Sequence, residues 1–149
     1  MVVLQEKSAQ NFQTWNGRVW RLYREELIQA GYSESAADEN VQQSMTATMD
    51  DAGPKPGNFI FDVVLDGVVV GDVWLNQRDG EWFIYDIEVR ESQRGKGLGR
   101  ATMRAIEHFV REHNGTTIGL SVFGFNKVAQ NLYLSEGYDI TRLMMQKNL

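Results

Sequence analysis

The chain has 149 residues, with fifteen Lys and Arg against twenty Asp and Glu, a formal net charge of −5 and no cysteine. That length fits one domain built on one sizeable core, and a 42% hydrophobic share excludes disordered, collagen-like and disulfide-scaffold classes. Without cysteine, thiolate metal sites, Fe–S clusters and a cysteine nucleophile are excluded. No apolar run is long enough to span a bilayer, and Met1–Glu6 carries no secretory signal. The acidic balance argues against nucleic-acid binding, which needs clustered Lys and Arg. The expectation is a cytoplasmic protein with neither membrane nor nucleic acid as partner.

Val2–Gln5 reads as a short first strand. Ser8 caps a predicted helix that runs to about Ala30 and stops at Gly31. Its residues Phe12, Trp15, Val19, Trp20, Tyr23, Leu27 and Ile28 recur at helical spacing and form one apolar face. A second, weakly apolar helix is predicted from Glu34 to Met49. Asp50–Asn58 holds both prolines and reads as a loop. A three-stranded meander follows: Phe59–Leu65, a turn at Asp66-Gly67, Val68–Asn76, a turn at Asp79-Gly80, then Trp82–Val89.

Helical periodicity returns through Leu98, Met103, Ile106, Phe109 and Val110. Thr116–Val122 is a predicted strand, Asn126–Glu136 a helix, and Tyr138–Met145 a last strand. The order β-α-α-β-β-β-α-β-α-β defines a mixed α/β fold with one strand–helix–strand crossover.

The link between the third meander strand and its helix carries the chemistry. In Arg94-Gly95-Lys96-Gly97-Leu98-Gly99, glycines let the backbone approach a ligand, and the helix N-terminus favours an anion. Arg94, Lys96 and Arg100 add positive charge, so a pyrophosphate fits. A P-loop is excluded because Gly97, not Ser or Thr, follows Lys96. A dinucleotide fingerprint is excluded because Arg100 stands where its last glycine belongs. His108 and His113 are spaced off one helix face and make no metal pair. Gly119–Phe123 is no nucleophile elbow, since Phe123 takes the second glycine position.

The hexapeptide Arg94–Gly99 resembles the Arg/Gln-x-x-Gly-x-Gly/Ala signature of the GNAT superfamily of acyl-CoA-dependent N-acetyltransferases. The stretch Leu120–Tyr138 is similar to the family's second motif: a strand, then Asn126, Ala129, Leu132-Tyr133 and Gly137-Tyr138. The well-matched part covers roughly residues 59 to 147. The resemblance implies a sheet whose strands at Asp86–Val89 and Leu120–Val122 splay apart to admit acetyl-CoA as co-substrate. Backbone groups of Ile87 and Val89 would hold the pantetheine and the thioester oxygen. Arg94, Gly95, Lys96, Gly97, Leu98 and Gly99 would hold the pyrophosphate, and Asn126 the pantetheine or diphosphate region.

Tyr133 falls where the family places the acid that protonates the departing thiolate. Asp86 and Glu88 are candidates for the base, acting directly or through a water. Two residues apart on a strand, they share a face unless a bulge separates them. The commoner glutamate positions of the family are Phe83 or Tyr85 here, and Ser121 stands where protein N-terminal acetylating members carry glutamate. Trp15, Trp20, Tyr23, Glu25 and Glu26 are candidates for the acceptor pocket, with a core role for the aromatic ones as the alternative. The reading is acetyl transfer from acetyl-CoA to a primary amine of a small molecule, by direct attack in a ternary complex. A protein or peptide amine acetyltransferase and a non-catalytic acyl-CoA-binding module are the alternatives. No metal is called for, and a homodimer is open to the chain because relatives often dimerise.

Overall fold

The computed structural model describes residues 1–149. Strand β1 (Val2–Glu6) leads into helix α1 (Ala9–Gln29), whose N-terminus is capped by Ser8 Oγ accepting from the Asn11 N–H. Helix α2 (Glu34–Thr48) is capped the same way by Ser33. The predicted Asp50–Asn58 loop differs in detail, because Met49–Asp50 (β2) and Gly53–Pro54 (β3) pair as a two-rung hairpin. The meander follows as β4 (Asn58–Leu65), β5 (Val68–Arg78) and β6 (Glu81–Val89). Helix α3 (Leu98–Glu112), strand β7 (Ile118–Leu120) and helix α4 (Lys127–Ser135) complete the elements.

The sheet order is β1-β4-β5-β6-β7, antiparallel throughout except that β7 runs parallel to β6. Alternation along the strands sorts two cores onto its two faces. Phe61, Val63, Val73, Leu75 and Ile84 pack with Met103, Ile106 and Val110 of α3. On the other face Ile60 and Trp74 pack with Trp15 and Trp20 of α1, the indoles meeting edge-on at 5.4 and 5.6 Å. No helix is long and apolar enough to cross a membrane.

Two sequence expectations are corrected. The strand expected at Thr116–Val122 pairs only over Ile118–Leu120. The strand expected at Tyr138–Met145 does not form: residues 139–149 belong to no element and make no backbone hydrogen bond. Their β-branched and apolar residues suit a strand, but no neighbour within the chain lies alongside to receive one.

One irregularity matters for the site. Trp74 of β5 faces Asp86, but its neighbour Leu75 faces Ile84, so Tyr85 is an extra residue, a bulge in β6. Before the bulge, Trp82 and Ile84 point into the α3 core. After it, Ile87 and Val89 pack there, and Asp86 and Glu88 point to the α1 face.

Candidate active site

Strands β6 and β7 pair only from Trp82–Ile84 to Ile118–Leu120. Beyond Ile84, β6 runs on for five residues with no partner on that side, which opens a gap between the strands. The Arg90 N–H donates to Val70 O of β5, and the Glu88 carbonyl lies against Gly71 of β5. Strand alternation therefore turns the N–H and C=O groups of Ile87 and Val89 toward the gap. The Ile87 groups and the Val89 N–H form an open edge to which an extended ligand can bond as a strand would, while the Val89 carbonyl accepts from Arg94 Nε.

The Gly-rich loop closes one end of the gap. A single 3-10 turn (Glu91–Gln93) precedes it, and Gly95 and Gly97 take φ of +78° and +74°, in the left-handed region. Gly97 caps α3 in that conformation. None of the N–H groups from Gly95 to Arg100 has an acceptor in the protein, the first backbone bond of the helix being Ala101 N–H to Gly97 O. Six successive donors at a helix N-terminus make an anion cradle. A side chain at Gly99 would come within 3.1 Å of Leu132 Cδ2, so this glycine sets how closely α4 approaches α3. Leu98 is buried and anchors the helix start in the α3 core.

The basic side chains are less free than the sequence suggests. Arg94 folds back, donating from Nε to Val89 O at 3.0 Å and lying 3.9 Å from Glu88. Arg100 donates to Glu136 at 2.9 Å and to Ser135. Lys96 reaches only Gln93, at 3.2 Å. The cradle thus rests on backbone donors, with Lys96 as its most available cation. Asn126 acts locally, its side-chain oxygen capping α4 by accepting from the Ala129 N–H at 3.2 Å.

Asp86 sits half-buried on the α1 face, and Trp15 Nε1 donates to its Oδ2 at 3.4 Å. Burial pushes its carboxyl up to about 7; the Glu88 charge acts in the same sense, and the Trp15 hydrogen bond opposes it. Glu26 of α1 is also raised, first by burial and then by the Glu88 charge. Tyr133 of α4 is partly buried against the α3-side core. Burial lifts its phenol above the ordinary 10, and the Asp86 charge adds to this. The Tyr133 phenol feels the Asp86 charge, while Glu88 shares the Asp86 face.

Of the residues expected around an acceptor, Glu25 points to solvent and Trp15 and Trp20 are core residues. Trp15 also touches the site through Asp86, and Glu26 turns inward.

One cluster escaped the sequence reading. Asp72 of β5 is fully buried and bonded by Lys7 at 2.5 Å, by Arg18 at 2.6 Å and by both terminal nitrogens of Arg90. Lys7 also bonds the neighbouring Asp62, which accepts from Asn11 as well. Burial alone would raise Asp72, but the hydrogen bonds of Arg90 and Lys7 outweigh it and hold the carboxyl below its ordinary value. Arg90 is the residue at which β6 passes into the Gly-rich loop, so this cluster fixes where the loop begins. The signal was present: Asp62 and Asp72 are single carboxylates inside otherwise apolar strands.

Residues 14–138 match the Acetyltransferase (GNAT) family. The chain belongs to that family, and is an acetyltransferase. It is 26% identical to the uncharacterized N-acetyltransferase YdgE of Bacillus subtilis, over 98% of this chain and 97% of that protein. The crystal structure of YycN, another uncharacterized N-acetyltransferase of Bacillus subtilis, superposes with a TM-score of 0.92 at 25% identity, covering 100% of this chain and 99% of YycN. The fold recurs in PaiA N-acetyltransferase of Thermoplasma acidophilum in complex with coenzyme A, with a TM-score of 0.61 at 14% identity over 94% of this chain and 91% of that one.

Proposed function

We propose that the protein transfers acetyl from acetyl-CoA to a primary amine of a small cationic molecule, by direct attack with both substrates bound. The observation that carries this reading is an unpaired stretch of β6, bearing Asp86, that leads into six successive N–H donors without a protein acceptor. In this reading the Gly95–Arg100 donors and Lys96 hold the pyrophosphate of acetyl-CoA, and Ile87 and Val89 bond its pantetheine arm. PaiA N-acetyltransferase is in complex with coenzyme A on the same fold, which supports acetyl-CoA as the co-substrate.

The Val89 N–H stabilises the oxyanion as the amine adds to the thioester carbonyl. A base with a pKa near the working pH is well matched to deprotonating an ammonium, so Asp86 takes the proton, directly or through a water. Tyr133 stays protonated at neutral pH and gives its proton to the departing CoA thiolate. Asn126 stays at the head of α4, where its amide nitrogen can reach the pantetheine. Glu88 and Glu26 add negative potential on the acceptor side, which favours a cation.

Thiol release from acetyl-CoA across a panel of amines and peptides tests the reading. Turnover on small amines, with an acid limb near pH 7 that Asp86→Asn abolishes along with most of the rate, is the expected result. Turnover confined to peptides, or an Asp86→Asn variant with full activity, would overturn it.

A further inference from the structure

The α1 face of the sheet carries a row of carboxylates one strand apart: Asp62 of β4 faces Asp72 of β5, which faces Glu88 of β6. Lys7 bridges the first two, Arg18 of α1 and Arg90 bond Asp72, and Arg94 lies 3.9 Å from Glu88. Asp72 is the centre of the row, fully buried and the partner of three cations. Apolar side chains of similar volume in place of such a cluster are often neutral or stabilising, so burial does not account for it. What charged hydrogen bonds add is direction, above all the fork of an arginine on a carboxylate.

That fork falls where β6 ends. Arg90 is held at three points. Its N–H donates to Val70 O at 2.8 Å, its carbonyl accepts from the Gln93 N–H at 2.8 Å, and both terminal nitrogens of its guanidinium bond Asp72. Gly71, between Val70 and Asp72, lies so close to the Glu88 carbonyl that a Cβ there would stand 2.3 Å from it. Three consecutive residues of β5 therefore grip the chain over Glu88, Val89 and Arg90. Val89 lies in the middle of that grip, with its N–H turned to the gap and its carbonyl bonded by Arg94. The Glu91–Gln93 turn and the Gly-rich loop start from its end.

We infer that Asp72 is a positioning residue for acetyl transfer: acting through Arg90, it sets the direction of the Val89 N–H and the point at which the Gly-rich loop leaves the sheet. The inference rests on the placement of acetyl-CoA proposed above. Buried from solvent, Asp72 touches neither substrate. Arg18 and Arg90 meet the same oxygen of its carboxylate, Oδ2, but they lead to different elements, Arg18 to α1 and Arg90 to the loop. Loss of the Arg90 bond frees the start of the loop. Loss of the Arg18 bond loosens only a helix that Asn11, Trp15 and Trp20 still dock.

The two arginines are a matched pair for the test, with side chains 26 and 32% exposed. Arg18→Met and Arg90→Met each take one cation from Asp72, and their urea midpoints should fall by similar amounts. In thiol-release kinetics Arg90→Met should lower kcat/KM for acetyl-CoA by about 10²-fold, the scale of a misplacement of about 1 Å, while Arg18→Met stays near wild type. Arg90→Lys keeps the charge but not the fork, and should resemble Arg90→Met. Asp72→Asn/Arg90→Met should be no slower than the slower single variant, since both act through one bond. Equal losses at Arg18 and Arg90, full activity in Arg90→Met, wild-type rates in Arg90→Lys, or losses that multiply in the double variant overturn the inference.

Trypsin acting on the folded chain without acetyl-CoA gives a second readout. Cleavage after Arg94 and Lys96, relative to the rest of the chain, should speed up in Arg90→Met and Arg90→Lys but not in Arg18→Met. Unchanged cleavage in the Arg90 variants overturns the inference. A wild type inactive on every amine, with trypsin still separating the two arginines, places the failure in the proposed function and not in the role of Asp72.

Discussion

Replacing Asp86 by Asn should stabilise the fold and make that gain grow with pH. An acid raised from its ordinary 3.8 to about 7 binds more proton in the native than in the unfolded state between those values. Stability therefore falls as pH rises through that window and levels off above it. A window about three pH units wide sets a ceiling of roughly 4 kcal/mol, at about 1.4 kcal/mol per unit. About two of those units lie above pH 5, so between pH 5 and pH 8 the wild type should lose about 2–3 kcal/mol that the Asn variant keeps. Asn retains the size of the side chain and can still accept from Trp15, so the difference isolates the charge. Urea unfolding of both proteins at closely spaced pH values measures it, and with m near 1–3 kcal/mol/M the midpoint difference should widen by roughly 0.7–3 M. Two stability curves that run parallel across pH 5–8 would refute the burial argument, and with it the assignment of Asp86 as a base poised near neutrality.

Other consequences are equally direct. Tyr133→Phe should lower kcat by about 10²-fold or more while the KM for acetyl-CoA barely moves, read from initial rates of thiol release. Gly97→Ala forces a side chain into a left-handed residue at φ +74°, costing about 1–2 kcal/mol and raising the KM for acetyl-CoA more than it lowers kcat. Asp72→Asn should destabilise the fold by about 3–5 kcal/mol in urea unfolding at pH 7, because Lys7, Arg18 and Arg90 lose their shared counter-charge. The wild type should keep the stability from Asp72 above the ordinary carboxylate range and lose it as pH falls through the lowered native value, the opposite sense to Asp86. Trp15→Phe removes the one hydrogen bond that lowers Asp86, so the acid limb of kcat/KM should move to higher pH.

The sequence made the local elements legible because their signals are local. Ser8 and Ser33 cap the helices they were expected to cap, and the Asp66-Gly67 and Asp79-Gly80 turns join the strands they predict. The loop geometry followed from Gly95 and Gly97. What it could not show depends on neighbours. Whether Arg94 and Arg100 are free is decided by Val89 O and by Glu136, the latter 36 residues from its arginine. Whether Trp15 lines a pocket or fills a core depends on Trp74 across the sheet. The Tyr138–Met145 segment has strand composition, but composition does not supply a neighbouring strand, and none lies alongside it.

The Tyr85 bulge divides β6 into two halves with opposite parity. Without the bulge, a strand alternating strictly through Tyr85 would carry Asp86 and Glu88 after Trp82 and Ile84 into the α3 core, and two carboxylates would displace Ile87 and Val89 from it. With it, the first half of the strand answers to packing and the second to chemistry. Substitutions in one half then leave the other's alternation intact, so a lineage can alter the acceptor face residue by residue without redesigning the core. Deleting Tyr85 would remove the bulge and leave a regular strand in which Asp86 and Glu88 keep the α1 face.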